Sequence, residues 1–210
     1  MINMPVDISA AVNNLPGELM DVGITHVFQL SSSSLLKVKK GDITNWFVNG
    51  RSDAIVNSTN VLMQGYGGAD LAIHRAAGQQ LRQMCYNFPQ VQPGVRCPIG
   101  EARITPAFKL PASHVIHTVG PIYFADENPV ASLRNAYRSS LTLAKANKIQ
   151  YVAFPAICCG VYGYPLEEAA TVAISTVKEF AHDFKEIHFV LYLEEVFNVW
   201  LEKTSELLLD

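Results

Sequence analysis

The chain has 210 residues, 49% of them hydrophobic, with a mean hydropathy of +0.15, so one α/β domain with a sizeable core is expected. Charged residues are 17% and the net charge is −3. This argues against wholesale disorder and against a general polyanion-binding surface. The imbalance lies in residues 1–36, which hold Asp7, Glu18 and Asp21 and no Lys or Arg, whereas the remainder carries 16 basic and 16 acidic residues.

Residues 1–34 differ from the rest. They contain Pro5, Pro16 and the run Ser31–Ser34, and read as an N-terminal arm. Within it Thr25–Leu30 alternates in polarity, as an edge strand would. From residue 35 to 210 the pattern becomes regular. Leu35–Val38 reads as a strand ending at Lys40-Gly41-Asp42, and Ala54–Asn57 is an apolar run of buried-strand length. Asp70–Asn87 has Leu71, His74, Ala77, Leu81, Met84 and Cys85 at helical spacing, and Pro89–Pro98 reads as a loop. Ala102–Ala107 and His114–Val119 are further strands, and Ala131–Asn147 is an amphipathic helix. Tyr151–Phe154 is another buried strand. Pro165 opens a helix with Glu167 and Glu168 in its first turn, expected to run to about Phe184. Ile187–Tyr192 is a strand and Val196–Leu208 a closing helix. Strands alternating with helices predict an α/β domain with helices on both sheet faces.

The four cysteines, Cys85, Cys97, Cys158 and Cys159, form no Cys-x-x-Cys pair. They read as reduced thiols, which suits a cytoplasmic or nuclear location. No apolar run reaches membrane-spanning length, and the N-terminus lacks the basic segment and apolar run of a secretory signal.

Two glycine-rich stretches stand between a predicted strand and a predicted helix: Asn60–Asp70, with Gly65, Gly67 and Gly68, and Cys158–Pro165, with Gly160 and Gly163. Glycine lets the backbone turn with positive φ and approach a ligand closely. Amides at a helix start then face an anion. Two such turns at the carboxyl ends of neighbouring strands would make a diphosphate site, although tight turns alone also use glycine. No Gly-Lys-Ser/Thr follows either stretch, and neither has Gly-x-Gly-x-x-Gly spacing, so a P-loop kinase or dinucleotide dehydrogenase is disfavoured.

Several separated motifs in order resemble the macrodomain family. They are Gly41-Asp42-Ile43, Ala54–Asn60, Gly67-Gly68-Ala69-Asp70, Ile73–Gly78, His117–Pro121 and Phe154–Pro165. The resemblance spans roughly residues 35–205, and the Asn60…Asp70…His74 spacing looks like the MacroD-type branch of ADP-ribosyl hydrolases. It implies a three-layer α/β/α fold with a mixed, mostly parallel sheet. It implies hydrolysis of ADP-ribosyl esters, such as mono-ADP-ribosyl on protein Asp or Glu and O-acetyl-ADP-ribose, by ligand-assisted water attack at the proximal ribose. The alternatives are a reader that binds ADP-ribose without turnover, an ADP-ribose 1″-phosphate phosphatase, or a hydrolase acting on ADP-ribosylated nucleic-acid ends. No cofactor, metal or membrane is called for, and a monomer is expected.

By the same resemblance, Asp42 and the Ile43 backbone would hold the adenine; alone, Asp42 would be read as a turn cap. Asn60 would hold the proximal ribose, although asparagine is also a common turn residue. Asp70 would orient or activate water, in competition with a plain N-cap role. His74, four residues on, would share its helix face and assist, or serve the core. Gly67, Gly68 and Ala69 would lend amides to the diphosphate and proximal ribose, with Cys158, Cys159, Gly160 and Val161 closing the other side. Tyr162 would lie against the distal parts of the ligand, or be a core aromatic. Tyr66 interrupts the family's glycine run and would cover the ribose or restrict bulky substrates. Cys158-Cys159 replaces the common Ser-Thr, and thiols near an anion site would have lowered pKa.

Overall fold

A computed structural model describes residues 24–209. Seven strands form one sheet: β1 (Thr25–Ser31), β2 (Ser34–Lys40), β3 (Asp53–Ser58), β4 (Ala102–Pro106), β5 (His114–Thr118), β6 (Tyr151–Phe154) and β7 (Glu186–Leu191). Five helices accompany them: α1 (Gly68–Ala77), α2 (Gln79–Asn87), α3 (Pro129–Ala146), α4 (Leu166–Lys178) and α5 (Glu194–Leu209). The spatial order is β1-β2-β7-β6-β3-β5-β4. The inner strands β2, β7, β6, β3 and β5 pair in parallel, and each outer strand pairs antiparallel with its neighbour.

Alternation along the buried strands divides the core in two. Ala54, Val56, Val152, Phe154, Ile187 and Phe189 point to one face, where Leu133 and Tyr137 of α3, Ala173 of α4 and Trp200 of α5 cover them. Ile55, Ala153 and Val190 point to the other, under Ile73 of α1, Leu81 of α2 and Trp46. The result is the expected three-layer α/β/α arrangement around a mixed, mostly parallel sheet.

Three boundaries differ from expectation for physical reasons. The helix expected over Asp70–Asn87 is two, because Gly78 adopts φ +84° and breaks the ladder between α1 and α2. The helix expected to reach Phe184 stops at Lys178, and the chain then tightens into i→i−3 turns through Asp183 before entering β7. The closing helix starts at Glu194, so that Glu194 and Glu195 occupy the first turn where the dipole favours acids. β1 is a sheet edge, registered from Thr25↔Lys39 to Ser31↔Ser34. Residues 25–34 of the arm thus lie in the β1–β2 hairpin, and residues 1–23 lie outside the described residues. Among the described residues, no helix is long and apolar enough to cross a membrane.

Candidate functional site

Parallel strands β2, β7, β6 and β3 lie side by side, and the turns after their carboxyl ends converge on one crevice. Two cavities, of about 250 Å³ and about 480 Å³, lie there and share Gly68, Ala69, Pro155, Ala156 and Gly160 as walls. The smaller is completed by Asn60, Tyr66, Gly67, Asp70, Cys158, Val161 and Tyr162. The larger is completed by Gly41, Asp42, Ile43 and Cys159, with Val190, Leu191, Tyr192, Leu193 and Val196 from the end of β7 and the start of α5. Both glycine-rich turns therefore face one cleft, with Asn60 and Asp70 at one end and Asp42 and Ile43 at the other.

The shared walls are backbone-rich. A Cβ built on Gly67, Gly68 or Gly160 would meet no atom within 4 Å, so these positions border open space. Gly68 adopts φ +54° as it opens α1. Unpaired first-turn amides and the positive end of the α1 dipole suit an anionic ligand at this waist.

Asp70 is the third residue of α1, with Gly67 at the cap position, so it is not the N-cap aspartate of the alternative reading. Its buried carboxylate is held on both oxygens. Oδ1 accepts from Asn57 Nδ2 at 2.7 Å; Oδ2 accepts from Thr59 Oγ1 at 3.0 Å and from the Tyr66 amide at 3.2 Å. Three donors thus hold the carboxylate in place and take up three of its acceptor positions. Asp70 thus fixes the shape of the glycine turn while forming part of the cavity wall.

His74 does not reach the cavity. It is buried behind Asp70, with Nε2 3.5 Å from Oδ1. Gly65 (φ +74°) lies over the ring, where a Cβ would be 2.7 Å from Cγ. Burial lowers the His74 pKa and outweighs the opposing pull of Asp70, so the ring is neutral. It packs under the loop on the same helix face as Asp70, away from the cavity wall.

Beneath it a buried relay continues. Asn57 Nδ2 also donates to His117 Nδ1 at 3.1 Å, and His117 Nε2 lies 3.0 Å from Thr105 Oγ1. Because an amide nitrogen only donates, His117 Nδ1 must be the acceptor and Nε2 carries the proton. Reversing the Asn57 amide would set its oxygen against Asp70, which fixes the assignment. Burial pushes the His117 pKa down to about 3. Cys85 Sγ stands 3.6 Å from His117 Nε2, and ligand atoms of His74, Cys85 and His117 lie within 4.8 Å of one another. Burial pushes the Cys85 thiol up to about 12, and both His117 nitrogens are engaged, so Cys85 and His117 read as a neutral hydrogen-bonded pair packed beside the His74 ring.

Asn60 Oδ1 accepts from the Leu62 amide at 2.9 Å, which orients its side chain on the cavity wall; the turn role and the site role coexist. Asp42 likewise caps a 3-10 turn over Ile43–Asn45, Oδ1 accepting from the Thr44 amide (2.9 Å) and hydroxyl (2.8 Å). Its second oxygen takes no part in that cap. Ile43 is buried beside it.

The cysteines correct one expectation. Cys158 has φ +65° and turns its sulfur inward toward Gly120, where a Cβ would clash at 2.2 Å. Burial raises its pKa strongly and pushes Cys159 up to about 12, the reverse of activated thiols. Tyr162 is also relocated: it lines the cavity of Asn60 and Asp70, not the one that holds Asp42.

Sequence reasoning assigned no role to Asn57, Thr59, His117, Pro155, Tyr192 or Leu193. Asn57 and Thr59 carried a weak signal, polar residues in and just after a buried apolar strand. Pro155, Tyr192 and Leu193 carried a better one, since they lie within two residues of the end of a parallel strand.

The macro domain family model matches residues 56–173. A macro domain-containing protein of Vibrio parahaemolyticus is 48% identical over 165 residues, 79% of this chain and 94% of that protein. The O-acetyl-ADP-ribose deacetylase of Salmonella typhimurium is 48% identical over 167 residues, 78% and 90% respectively. Among solved structures, the Oceanobacillus iheyensis macrodomain with ADP superposes with a TM-score of 0.81 at 36% identity, covering 87% of this chain and 96% of that one. A Trypanosoma brucei macrodomain in complex with ADP-ribose gives 0.71 at 33%, covering 80% and 68%. With the sheet order, the two facing glycine turns and these likenesses together, the chain belongs to the macro domain family.

Proposed function

We propose that this protein binds ADP-ribose along the cleft and hydrolyses acyl esters of it, both O-acetyl-ADP-ribose and mono-ADP-ribosyl esters of protein Asp or Glu. The observation that carries this reading is the order of chemistry along one continuous cleft. A carboxylate and an apolar wall (Asp42, Ile43, Val190) suit adenine at one end. Exposed backbone (Gly67–Ala69 and Gly160) suits the diphosphate at the waist. An amide and a fixed carboxylate (Asn60, Asp70) suit a ribose diol at the other. Relatives named O-acetyl-ADP-ribose deacetylase support the ester chemistry.

In ester hydrolysis the water oxygen bonds to the acyl carbon and the acyl carbon–ribose oxygen bond breaks. One water proton ends on the ribose oxygen and the freed acid loses its own to solvent. With three donors already on the Asp70 carboxylate, the water's proton passes through an oxygen of the ligand's own diphosphate, held at the α1 start, to the departing ribose oxygen. Asn60 and the Asp70-shaped turn hold the ribose so that the ester carbon meets that water.

The test is release of acetate from O-acetyl-ADP-ribose and of ADP-ribose from auto-modified protein, with calorimetry of free ADP-ribose alongside. Turnover of both esters is expected. Binding without release from either would make the protein a reader and overturn the proposal.

A further inference from the structure

The end of the cleft that would hold the ester has an unusual rim. Tyr66 is 69% exposed and Val161 is 97% exposed, and they stand on the two opposing glycine-rich turns. Both line the same cavity as Asn60 and Asp70. The Tyr66 ring is tethered, since its hydroxyl donates to Gln64 Oε1 at 2.6 Å. Phe124, 87% exposed, lies against Gly163 of the second turn, where a Cβ would be 3.7 Å from its ring. Among the described residues, no Lys, Arg or His lines this cavity, and Asp70 is its one carboxylate. A second phosphate on the ribose would therefore meet a fixed negative charge and no cation. A neutral hydrocarbon group would cover Tyr66 and Val161 instead.

Resting on the hydrolase reading above, we propose that Tyr66 and Val161 form an acyl-chain subsite, and that the preferred substrates are O-acyl-ADP-ribose esters with aliphatic chains longer than acetyl. The ester bond still breaks between acyl carbon and ribose oxygen, with water supplying hydroxyl to the acid and a proton to the ribose. The chain beyond the carbonyl lies between the two side chains and is removed from water there.

The experiment compares kcat/KM for the acetyl, propionyl and butyryl esters in the wild-type chain, Tyr66→Gly, Tyr66→Phe and Val161→Gly. ADP-ribose affinity is measured on each variant. In the wild-type chain kcat/KM should rise about two- to four-fold per added methylene, the size of partial to full burial of one CH₂. Tyr66→Gly and Val161→Gly should flatten the butyryl-to-acetyl ratio, and Tyr66→Phe, which keeps the ring, should retain most of it. ADP-ribose 1″-phosphate should be turned over at least about 100-fold less efficiently than the acetyl ester, the cost of an unpaired buried charge. A flat or falling profile in the wild-type chain, an unchanged ratio in Tyr66→Gly, or efficient phosphate release overturns the inference and leaves the hydrolase reading standing. No turnover of any ester, with ADP-ribose binding intact, overturns both.

Discussion

At the scale of single residues, the site turns on one carboxylate that three donors already hold. Asp70 takes donors from Asn57, Thr59 and the Tyr66 amide, so removing it leaves three donors without an acceptor. Asp70→Ala should lower stability by about 2–4 kcal/mol, less than the sum of three full penalties because water enters. It should lower kcat on an ADP-ribosyl ester at least about 100-fold, the cost of a displaced turn. Denaturant melts and initial rates check this, and full activity in the variant would remove Asp70 from the site. The thiols give a second prediction. With Cys159 pushed up to about 12 and Cys158 raised further by burial, the thiolate fraction at neutral pH is minute. Iodoacetamide should therefore alkylate both more than about 100-fold more slowly than an unhindered thiol, leaving ADP-ribose affinity unchanged. Rapid loss of binding on alkylation would contradict the burial argument.

At the scale of elements, the short apolar runs that became β3, β6 and β7 were legible because a strand buried on both faces must read as a continuous apolar stretch. The glycine turns were legible because each stood between such a run and a helical period. What stayed hidden required knowing which elements are neighbours. Asp70 meets Asn57 and Thr59 only because α1 folds back over the end of β3, and His117 arrives from β5 through the register Asn57↔His117. The inward turn of Cys158 goes with a φ of +65° that its side chain does not announce. The break between α1 and α2 was partly legible, since Gly78 interrupts the period. Its φ of +84° makes a further prediction: Gly78→Ala should destabilise by about 1–2 kcal/mol, because an L side chain is strained there. A melt showing stabilisation would mean the two helices merge when the glycine is removed.

At the scale of the whole molecule, acid sensitivity follows from two groups on different elements, His117 buried in the core and Glu186 half-buried at the start of β7. His117 titrates at about 3 when folded against about 6.5 unfolded, so the unfolded chain takes up the proton first. That contribution is complete above about pH 6.5 and is lost as pH falls toward 3, amounting to on the order of 5 kcal/mol at about 1.4 kcal/mol per unit. Glu186, held by His188 and Lys37, is lowered to about 2, so its contribution is complete above about 4.3 and is lost as pH falls toward 2. Melting temperatures should fall steadily below pH 6.5, and the stability gap between the wild-type chain and His117→Gln should shrink as pH drops. A gap independent of pH between 7 and 4 would show that His117 is not buried in the neutral form. The central claim, that the two glycine-rich turns form one ADP-ribose cleft, is tested most directly by calorimetric titration of ADP-ribose into the wild-type chain and Gly160→Val. Gly160 has no positive φ and borders open space, so the substitution should change stability by less than about 0.5 kcal/mol. The account predicts one site per chain in the wild-type protein and an affinity at least about tenfold weaker in the variant, a loss of about 1.4 kcal/mol. Equal affinity in the two proteins would place the ligand somewhere other than between these turns.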